Sequence, residues 1–331
     1  MSLENNQTFL RYFILRGLSD DPKLQNVLFF LFLSFYFVTL AGNFLLIIVV
    51  RLYPSLQTPM YFFLSNLSFI DICVSTTVVP KILVNTLSKD RRISFLGCAA
   101  QMYFHLSFGA TECLLLPTMA YDRYNAICNP LQYTIIMNQK VCLCLVASCW
   151  TMGFLDTVVH AVSTFQLPFC KSNYVNHFYC EMFPLLQLSC KDTWINIVMV
   201  YLSGIIIALI SFLVTCLSYF HILSTIMKIQ HNKGRGKAFS TCTSHLIVLN
   251  LYYGTILCAY MRPQSSYSPL QDQAFSILYT VVMPMLNPII YSVRNKDIKD
   301  AIRKLTDRIF YTSSDNLDRY NLIWDAWITV A

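Results

Sequence analysis

The sequence has 331 residues, of which 56% are hydrophobic and only 12% are charged. In an ordinary soluble domain, roughly 45–50% of the residues are hydrophobic and about 25% are charged. This composition therefore excludes an ordinary soluble domain and indicates a membrane protein. The formal net charge of +7 favours contact with an anionic inner leaflet, and a chain this apolar is a poor partner for nucleic acid.

The N-terminal segment 1–26 lacks the basic start, the apolar run and the small-residue cleavage site of a secretory signal. We therefore expect the first membrane span to direct insertion. Asn6 begins an N-glycosylation sequon with Thr8, which is usable only if the N-terminus faces the secretory lumen. A second sequon at Asn66 lies within a predicted span, out of reach of the modifying enzyme.

Apolar stretches long enough to cross a bilayer core of about 30 Å occur seven times. They predict an all-α membrane protein, a seven-transmembrane helix bundle, with spans at 27–50, 60–87, 98–128, 141–165, 195–227, 238–261 and 270–293. Lys and Arg cluster in the loop between the fifth and sixth spans and at the start of the tail, which favours an extracellular N-terminus and a cytoplasmic C-terminus.

The chain after the last span divides into two parts. Residues 294–308 form a basic amphipathic stretch, which predicts a short helix on the inner leaflet. Residues 309–331 form a cytoplasmic tail extension with Trp324 and Trp327, for which the sequence gives no physical account. The predicted domains are thus 1–26, the bundle 27–293, the helix 294–308 and the tail 309–331.

Four of the 13 cysteines fall at or beyond the outer face, namely Cys98, Cys170, Cys180 and Cys190. Only these four cysteines are exposed to oxidising conditions. Four cysteines can form two disulfides in three ways, and their spacing does not decide among the three. The other nine are expected to pack as small apolar residues.

A metal site is a second interpretation of the same loop. His177, Cys180 and Glu181 include the imidazole and thiolate that bind soft metals such as copper, but a disulfide at Cys180 would remove the thiolate.

Two carboxylates, Asp71 and Glu112, lie inside the second and third spans, where an acid is a functional hypothesis by default. Since two nearby carboxylates in low dielectric do not readily both ionise, we predict a shared proton or a bound cation such as sodium. Alternatively, each is neutral and hydrogen-bonded to Asn43 or Asn287.

Two prolines are expected to disturb helices because proline has no N–H and crowds the preceding turn. Pro288, after Asn287, is expected to break the ladder of the seventh span, and a static kink is the alternative. Pro117 is expected to bend the third span six residues before Arg123.

Short motifs follow one another in order along the spans. They are Gly42-Asn43, PMYFFL at 59–64, LSFID at 67–71, MAYDRYNAIC at 119–128, Ser218-Tyr219, KAFSTC at 237–242 and PMLNPIIY at 284–291. From about Asn5 to about Leu305 the chain resembles the odorant (olfactory) receptor family of rhodopsin-like G-protein-coupled receptors. It departs from that pattern at Pro117, Asn125 and Gln57, and in its long tail.

The resemblance implies roles for particular residues. Cys98 pairs with Cys180, and Cys170 with Cys190. Within the Asp122-Arg123-Tyr124 part of the signature, Asp122 restrains Arg123 at rest, and Arg123 contacts the G protein after the sixth span moves. Below Asn287 and Pro288, Tyr291 and Tyr219 swing toward Arg123 on activation.

It also implies a ligand pocket between the outer halves of the third, fifth, sixth and seventh spans, with Tyr253 as the aromatic switch at its floor. The pocket residues carried over are His105, Leu106, Gly109, Ala110, Ser203, Ile207, Tyr253, Ile256, Leu257, Tyr260, Ile277 and Thr280. This set is mostly apolar with a few polar groups, which suits a small hydrophobic ligand.

The resemblance therefore implies a multi-pass plasma-membrane receptor that binds a small, volatile ligand and activates a stimulatory (olfactory) G protein to raise cyclic AMP. Its expected partners are this ligand, the G protein and membrane lipids, with no cofactor apart from a sodium ion. The alternatives are a receptor of the same family outside the nose that senses an internal metabolite, and a variant whose signalling Pro117 impairs. A transporter is disfavoured because the sequence has no repeats, and an enzyme because its six histidines show no metal-ligand spacing.

Overall fold

The computed structural model describes residues 11–228, 242–243, 245–255 and 269–311, and these are mostly helical. The helices are α1 (Pro22–Leu52), α2 (Pro59–Leu87), α3 (Phe95–Cys128), α4 (Tyr133–Ile136), α5 (Gln139–Phe165), α6 (Met182–Leu186), α7 (Trp194–Lys228), α8 (helical at 242–243 and 245–255), α9 (Pro269–Ile277), α10 (Met283–Arg294) and α11 (Lys296–Tyr311). A 3₁₀ turn, Pro54–Leu56, follows α1, and a π-helical turn, Leu278–Val282, joins α9 to α10.

In the described part of the chain, five helices are long and apolar enough to cross a membrane. They are Pro22–Leu52, Pro59–Leu87, Gln139–Phe165, Trp194–Lys228 and Gln271–Val293. They overlap the first, second, fourth, fifth and seventh predicted spans. The third predicted span lies in α3, a 34-residue helix that carries Glu112, Asp122 and Arg123 and is therefore less apolar. The sixth is described only as α8.

Side-chain caps define where several helices begin. Asp21 accepts a hydrogen bond from the backbone N–H of Lys23, and Pro22 occupies the first turn of α1. Ser94 caps α3 through the N–H of Gly97, and Asn138 caps α5 through that of Val141. These side chains satisfy N–H groups that have no partner within the helix.

Helix α3 lies at the centre of the bundle and packs against α2, α5 and α7, whereas α1 packs against α2 and α10. Its buried residues Leu115, Leu116 and Met119 belong to the main apolar core. By contrast, α7 leaves large apolar side chains exposed along its outer surface, including Leu209 and Phe220. A bundle that exposes such side chains is suited to lipid rather than to water.

A small sheet that the sequence did not predict covers the outer end. Its strands are β1 (Tyr12–Leu15), β2 (Arg92–Ser94) and β3 (Tyr174–Val175), in the order β2-β1-β3. Strand β1 runs antiparallel to β2 and parallel to β3. Phe13 and Leu15 are fully buried beneath it against Val175 and the cysteines Cys98 and Cys180. The N-terminal segment is thus fixed to both of the first two outer loops.

The seventh span contains Pro288, which was expected to break its hydrogen-bond ladder. Helix α10 nevertheless continues through Asn287 and Pro288, and an irregular π-helical turn lies upstream at Leu278–Val282. Pro288 cannot donate to the carbonyl oxygen of Pro284, four residues earlier. The Asn43 side chain of α1 donates to that oxygen at 3.0 Å, which satisfies the acceptor that the proline leaves free.

Pro117 does not interrupt α3, which is continuous from Phe95 to Cys128 with the proline buried inside it. Neighbouring helices pack around this segment, as is common where membrane helices tolerate proline.

Helix α11 begins where the Asn295 side chain accepts hydrogen bonds from the backbone N–H groups of Asp297 and Ile298. Ile298 and Ile302 are buried, whereas Lys304 on the same helix is exposed. One face of α11 therefore packs on the bundle, and its exposed residues include charged side chains of both signs, such as Asp300 and Arg303. Residues beyond 311, with Trp324 and Trp327, lie outside the described part of the chain.

Candidate functional site

The second outer loop, residues 166–193, covers the outer end of the bundle, and we call it the lid. Two disulfides hold it: Cys98 joins Cys180 with Cα atoms 5.4 Å apart, and Cys170 joins Cys190 at 5.8 Å. These are the pairings that the resemblance implied. The backbone N–H of Cys180 also donates to the Gln101 side chain at 2.9 Å, so the lid is fixed to α3 at that point.

The disulfide at Cys180 removes the thiolate that a copper site in this loop would need. Among the described residues, no group of three or more His, Cys, Asp or Glu side chains is arranged to hold a metal ion. What remains of the proposed cluster is a contact of 3.1 Å between Nε2 of His177 and Oε2 of Glu181.

Both groups in this contact are neutral near pH 7. Burial lowers the pKa of His177 to about 3. Burial, together with the charge of Asp272 at the start of α9, raises the pKa of Glu181 to about 8, while a hydrogen bond with Ser276 partly opposes the shift. The underside of the lid thus meets the seventh span through an uncharged carboxyl group, as expected for an acid removed from water.

Beneath the lid, aromatic side chains surround one face of α3. The ring of His105 lies edge-on to those of Tyr179, 4.9 Å away, and Tyr279, 5.7 Å away. One turn further in, the Tyr252 hydroxyl of α8 donates to the Gly109 carbonyl oxygen at 3.0 Å. This site joins the lid to three spans through apolar rings and a few polar atoms.

Gly109 is required by the close approach of Tyr279. A Cβ atom at position 109 would collide with the Tyr279 hydroxyl oxygen. The absence of a side chain therefore lets the seventh span pack directly on α3 at the floor of the site.

In the middle of the bundle, the Asn287 side chain donates to both carboxylate oxygens of Asp71, at 3.0 and 3.1 Å. Asp71 and Glu112 are 1% and 3% exposed, so both predicted carboxylates lie in the interior. For Asn43, the other neighbour considered for them, the structure shows its Nδ2 group donating to the carbonyl oxygens of Thr39 and Pro284.

At the inner end, Asp122 is fully buried and accepts a hydrogen bond of 2.8 Å from the hydroxyl of Tyr133 on α4. Among the described residues, which include both Asp122 and Arg123, no ion pair within 4.0 Å joins these two side chains. The Tyr219 hydroxyl of α7 lies 2.7 Å from Nδ1 of His245 on α8, and both side chains are buried. Tyr291 is buried nearby in the same core.

Comparison with known proteins identifies this arrangement. The sequence pattern of the olfactory receptor family matches residues 32–308. The chain belongs to the olfactory receptor family. It is 50% identical to human olfactory receptor 5G3 over 305 residues, which cover 92% of this chain and 97% of that protein. It is 51% identical to mouse olfactory receptor 5AP2 over 302 residues, covering 91% and 95%, and 48% identical to human olfactory receptor 5I1, covering 91% and 96%.

The family is one of multi-pass plasma-membrane receptors of the G-protein-coupled class, with a small-molecule ligand and a G protein as partners. The resemblance drawn from the motifs is therefore confirmed.

The structure places the pocket residues expected for an olfactory receptor in different surroundings. His105 and Gly109 meet the aromatic site directly, and Ile277 packs against the apolar cluster that contains Tyr179. Leu106 lies in the apolar cluster under the outer sheet. Ala110 is half-buried on α3.

On the other helices the expected pocket residues have local partners. The hydroxyl of Ser203 lies 2.8 Å from Nε2 of His160, and that of Thr280 donates to its own helix. Ile207 packs against the main core, and the ring of Tyr253 lies edge-on to Phe212. Ile256, Leu257 and Tyr260 fall outside the described residues, as does Asn6.

Sequence reasoning missed three residues at this site: Tyr179, Tyr252 and Tyr279. Each lies next to or near a residue that was chosen. Tyr252 precedes Tyr253, and Tyr279 precedes Thr280. Since successive helical residues point about 100° apart, a motif locates the turn but not which neighbour faces α3.

Proposed function

We propose that this olfactory receptor binds a small, mostly hydrophobic, volatile ligand under the lid and activates a stimulatory olfactory G protein, which raises cyclic AMP. The observation that carries the proposal is the continuity of α3. The same helix presents His105 and Gly109 to the enclosed outer site and Asp122 and Arg123 to the inner end. At about 1.5 Å per residue, the 25 residues from Cys98 to Arg123 span about 37 Å, enough to cross a bilayer.

The chemistry of the outer site supports this ligand class. Rings of Tyr179, Tyr252 and Tyr279 supply apolar surface, and His105 supplies a polar group that is 5% exposed. An imidazole among aromatic rings suits a molecule with one or two hydrogen-bonding groups. Sites with this composition favour small, largely apolar ligands.

At the inner end, the proposed switch depends on the sixth span moving away from the fifth. In the described structure, Tyr219 and His245 join these spans, and Asp122 is held by Tyr133 rather than by Arg123. Outward movement of α8 would separate the first pair. It would leave Tyr219 and Tyr291 available to Arg123 and open a surface for the G protein, a change between two packed states.

We also propose that Asp71 and Glu112 share a proton or bind a sodium ion. Their burial and the two hydrogen bonds that Asn287 donates to Asp71 support a site whose charge is tied to the packing of the seventh span. Ligand affinity is expected to depend on sodium in the wild type and to lose this dependence in Glu112→Gln. An affinity insensitive to sodium in both would count against the cation.

The proposed topology has seven spans in a single bundle at 27–293, with the N-terminal segment 1–26 outside and α11 on the inner leaflet. The buried Ile298 and Ile302 and the exposed Lys296, Arg303 and Lys304 support its placement at an anionic surface. The tail 309–331 is placed in the cytoplasm by the same topology. A glycan on Asn6 in cells supports this orientation, and its absence from protein that reaches the surface argues against it.

The deciding experiment is a cyclic-AMP reporter assay in cells that co-express the olfactory stimulatory G protein, screened against panels of volatile compounds. An active compound is expected to lose its effect in Arg123→Ala and to change potency in His105→Ala, at matched surface expression. A response to internal metabolites alone would favour a role outside the nose. Silence of the wild type with a response in Pro117→Val would show that Pro117 impairs signalling, and silence of both would overturn the proposal.

A further inference from the structure

A polar contact joins the fourth and fifth spans in the half of the bundle that the lid covers. The Nε2 atom of His160 on α5 lies 2.8 Å from the hydroxyl oxygen of Ser203 on α7. It also lies 3.6 Å from Oδ2 of Asp156, one turn earlier on α5. His160 is 7% exposed, so the two helices enclose most of the contact. We call Asp156, His160 and Ser203 the polar triad.

The surroundings of the His160 ring decide which of its nitrogens carries the hydrogen. Nε2 faces two oxygen atoms, whereas Nδ1 is buried and has no hydrogen-bond partner among the described residues. A hydrogen on Nε2 is attracted by both oxygens, but a bare Nε2 would turn its lone pair toward the carboxyl oxygen of Asp156. A hydrogen on Nδ1 would be buried without an acceptor. The surroundings therefore favour the tautomer in which Nε2 donates to Ser203.

The second contact of the Ser203 hydroxyl indicates the same direction of donation. The hydroxyl oxygen lies 3.4 Å from the carbonyl oxygen of Val200 on its own helix, and it donates to that oxygen. A hydroxyl group has only one hydrogen, so it accepts from His160 rather than donating to it. The bond to Val200 is long, and an acceptor atom of a ligand at about 2.8 Å would replace it.

Ser203 lies on the face of α7 that packs toward the centre of the bundle. Val200, three residues earlier, packs against the same apolar cluster as Leu106 of α3. Ile207, four residues later, packs against the main core. Helical residues at this spacing lie on one face, so the Ser203 hydroxyl is positioned between two side chains that meet the core around α3.

We propose that the polar triad fixes the Ser203 hydroxyl as a hydrogen-bond donor to the ligand. The proposal rests on the proposed function and names the ligand class within it: volatile molecules that carry an acceptor oxygen, such as ketones and esters. Asp156 and His160 are positioning residues, because they act on the ligand only through the placement of hydrogens in the triad. This role also accounts for an acid inside the fourth span, where an ionisable side chain is costly.

A ketone and the alcohol with the same carbon skeleton report the direction of this bond. A ketone oxygen only accepts hydrogen bonds, whereas an alcohol both donates and accepts them. In Asp156→Asn an amide N–H group faces Nε2 of His160 and favours a bare Nε2, which then takes the hydrogen of Ser203. We expect ketone potency to fall about fivefold, the effect of one neutral hydrogen bond, while alcohol potency changes less.

The measurement uses a series of straight-chain methyl ketones and the matching secondary alcohols in the cyclic-AMP reporter assay, at matched surface expression. Ser203→Ala is expected to weaken both series, because it removes the donor and the acceptor together. Ser163→Ala is the matched control and should change neither, because the Ser163 hydroxyl donates to the backbone carbonyl oxygen of His160 and not to its ring.

Two outcomes of this assay would overturn the proposal and leave the proposed function intact. The first is an equal change in ketone and alcohol potency in Asp156→Asn, which would reduce the triad to packing. The second is a response to other volatiles with silence to both series. Silence to every volatile would instead overturn the proposed function, and the ligand class with it.

A measurement without ligand tests the tautomer directly. In detergent-solubilised receptor with ¹⁵N-labelled histidine, the chemical shift distinguishes a protonated ring nitrogen from a bare one, and the signals of His160 are those lost in His160→Phe. We expect Nε2 to be protonated and Nδ1 bare in the wild type, with the reverse in Asp156→Asn. A wild-type ring protonated at Nδ1, alone or together with Nε2, would overturn the proposal.

Discussion

The Tyr219 hydroxyl and the Nδ1 atom of His245 lie 2.7 Å apart and join α7 to α8 in the inner half of the bundle. Both side chains are buried, so this contact must break or be replaced when the two helices separate. The two atoms bond directly and away from water. In such a low-dielectric interior, a hydrogen bond is stronger than it is in water.

The first prediction concerns that bond. His245→Phe keeps an aromatic ring but removes the nitrogen, so we expect the inner ends of the fifth and sixth spans to separate more readily and ligand-independent cyclic AMP to rise. One lost buried hydrogen bond, worth about 1 kcal/mol, corresponds to a roughly fivefold shift in the equilibrium. His221→Phe is the control, because His221 is exposed on α7. Unchanged basal signalling in His245→Phe at normal surface expression would contradict the proposed role.

The second prediction concerns the close approach of α3 and the seventh span. Gly109→Ala is expected to push the Tyr279 hydroxyl away, because the new Cβ atom would collide with it. Overpacking of this kind costs about 1–3 kcal/mol, so ligand potency should fall about fivefold or more. Tyr279→Phe removes the colliding oxygen, and the double variant should recover most of the loss. A double variant no better than Gly109→Ala alone would place the effect elsewhere.

The third prediction is a dependence of stability on pH. In the folded receptor, burial and Asp272 raise the pKa of Glu181 from 4.5 to about 8, so unfolding releases its proton between these values and stability falls as pH rises. His177 acts in the opposite sense, because its pKa is lowered from 6.5 to about 3 and stability rises with pH up to 6.5. The two effects oppose each other below pH 6.5.

The contribution of Glu181 is therefore visible between about pH 6.5 and 8, with a slope of at most about 1.4 kcal/mol per pH unit. The thermal midpoint of detergent-solubilised receptor should decrease over this window. In Glu181→Gln the midpoint should stay level. Parallel curves for the two proteins would show that Glu181 titrates normally.

The fourth prediction concerns Pro117, which is buried inside a continuous α3. Pro117→Val restores an N–H that can donate to the carbonyl oxygen of Cys113 and replaces the ring by a side chain of similar size. A gain in stability of about 1–2 kcal/mol is expected, below the roughly 3 kcal/mol that an interior proline costs, because the surrounding helices already accommodate it. Thermal unfolding with Thr118→Val as a neighbouring control measures this. A lower midpoint in Pro117→Val would indicate that the proline ring is needed for packing.

The sequence predicted the long helices well because their boundaries follow from local signals. A run of about 20 apolar residues that crosses a bilayer forms a helix, because its backbone groups must bond to one another. The side chains of Asp21, Ser94 and Asn138 cap the helices that they precede. The disulfides followed from the resemblance, since four outer cysteines alone allow three pairings.

The outer sheet could not be predicted in this way. Its strands have two to four residues and come from three separated segments, so no local periodicity marks them, and their register depends on the disulfide that positions the lid. The π-helical turn at Leu278–Val282 was not predicted, because its residues include no glycine or proline that would mark an irregular helix. At the candidate site, the face of each helix was decided by packing against Gly109 and His105, which no motif encodes.

The pairing of β1 with β3 has a consequence for biosynthesis. Strand β1 leaves the ribosome before any span, yet its parallel neighbour Tyr174–Val175 is made only after α5 has been inserted. Until then Phe13 and Leu15 have nothing to bury them on that side, and the N-terminal segment cannot complete the sheet. This end of the receptor is therefore among the last parts of the protein to assemble.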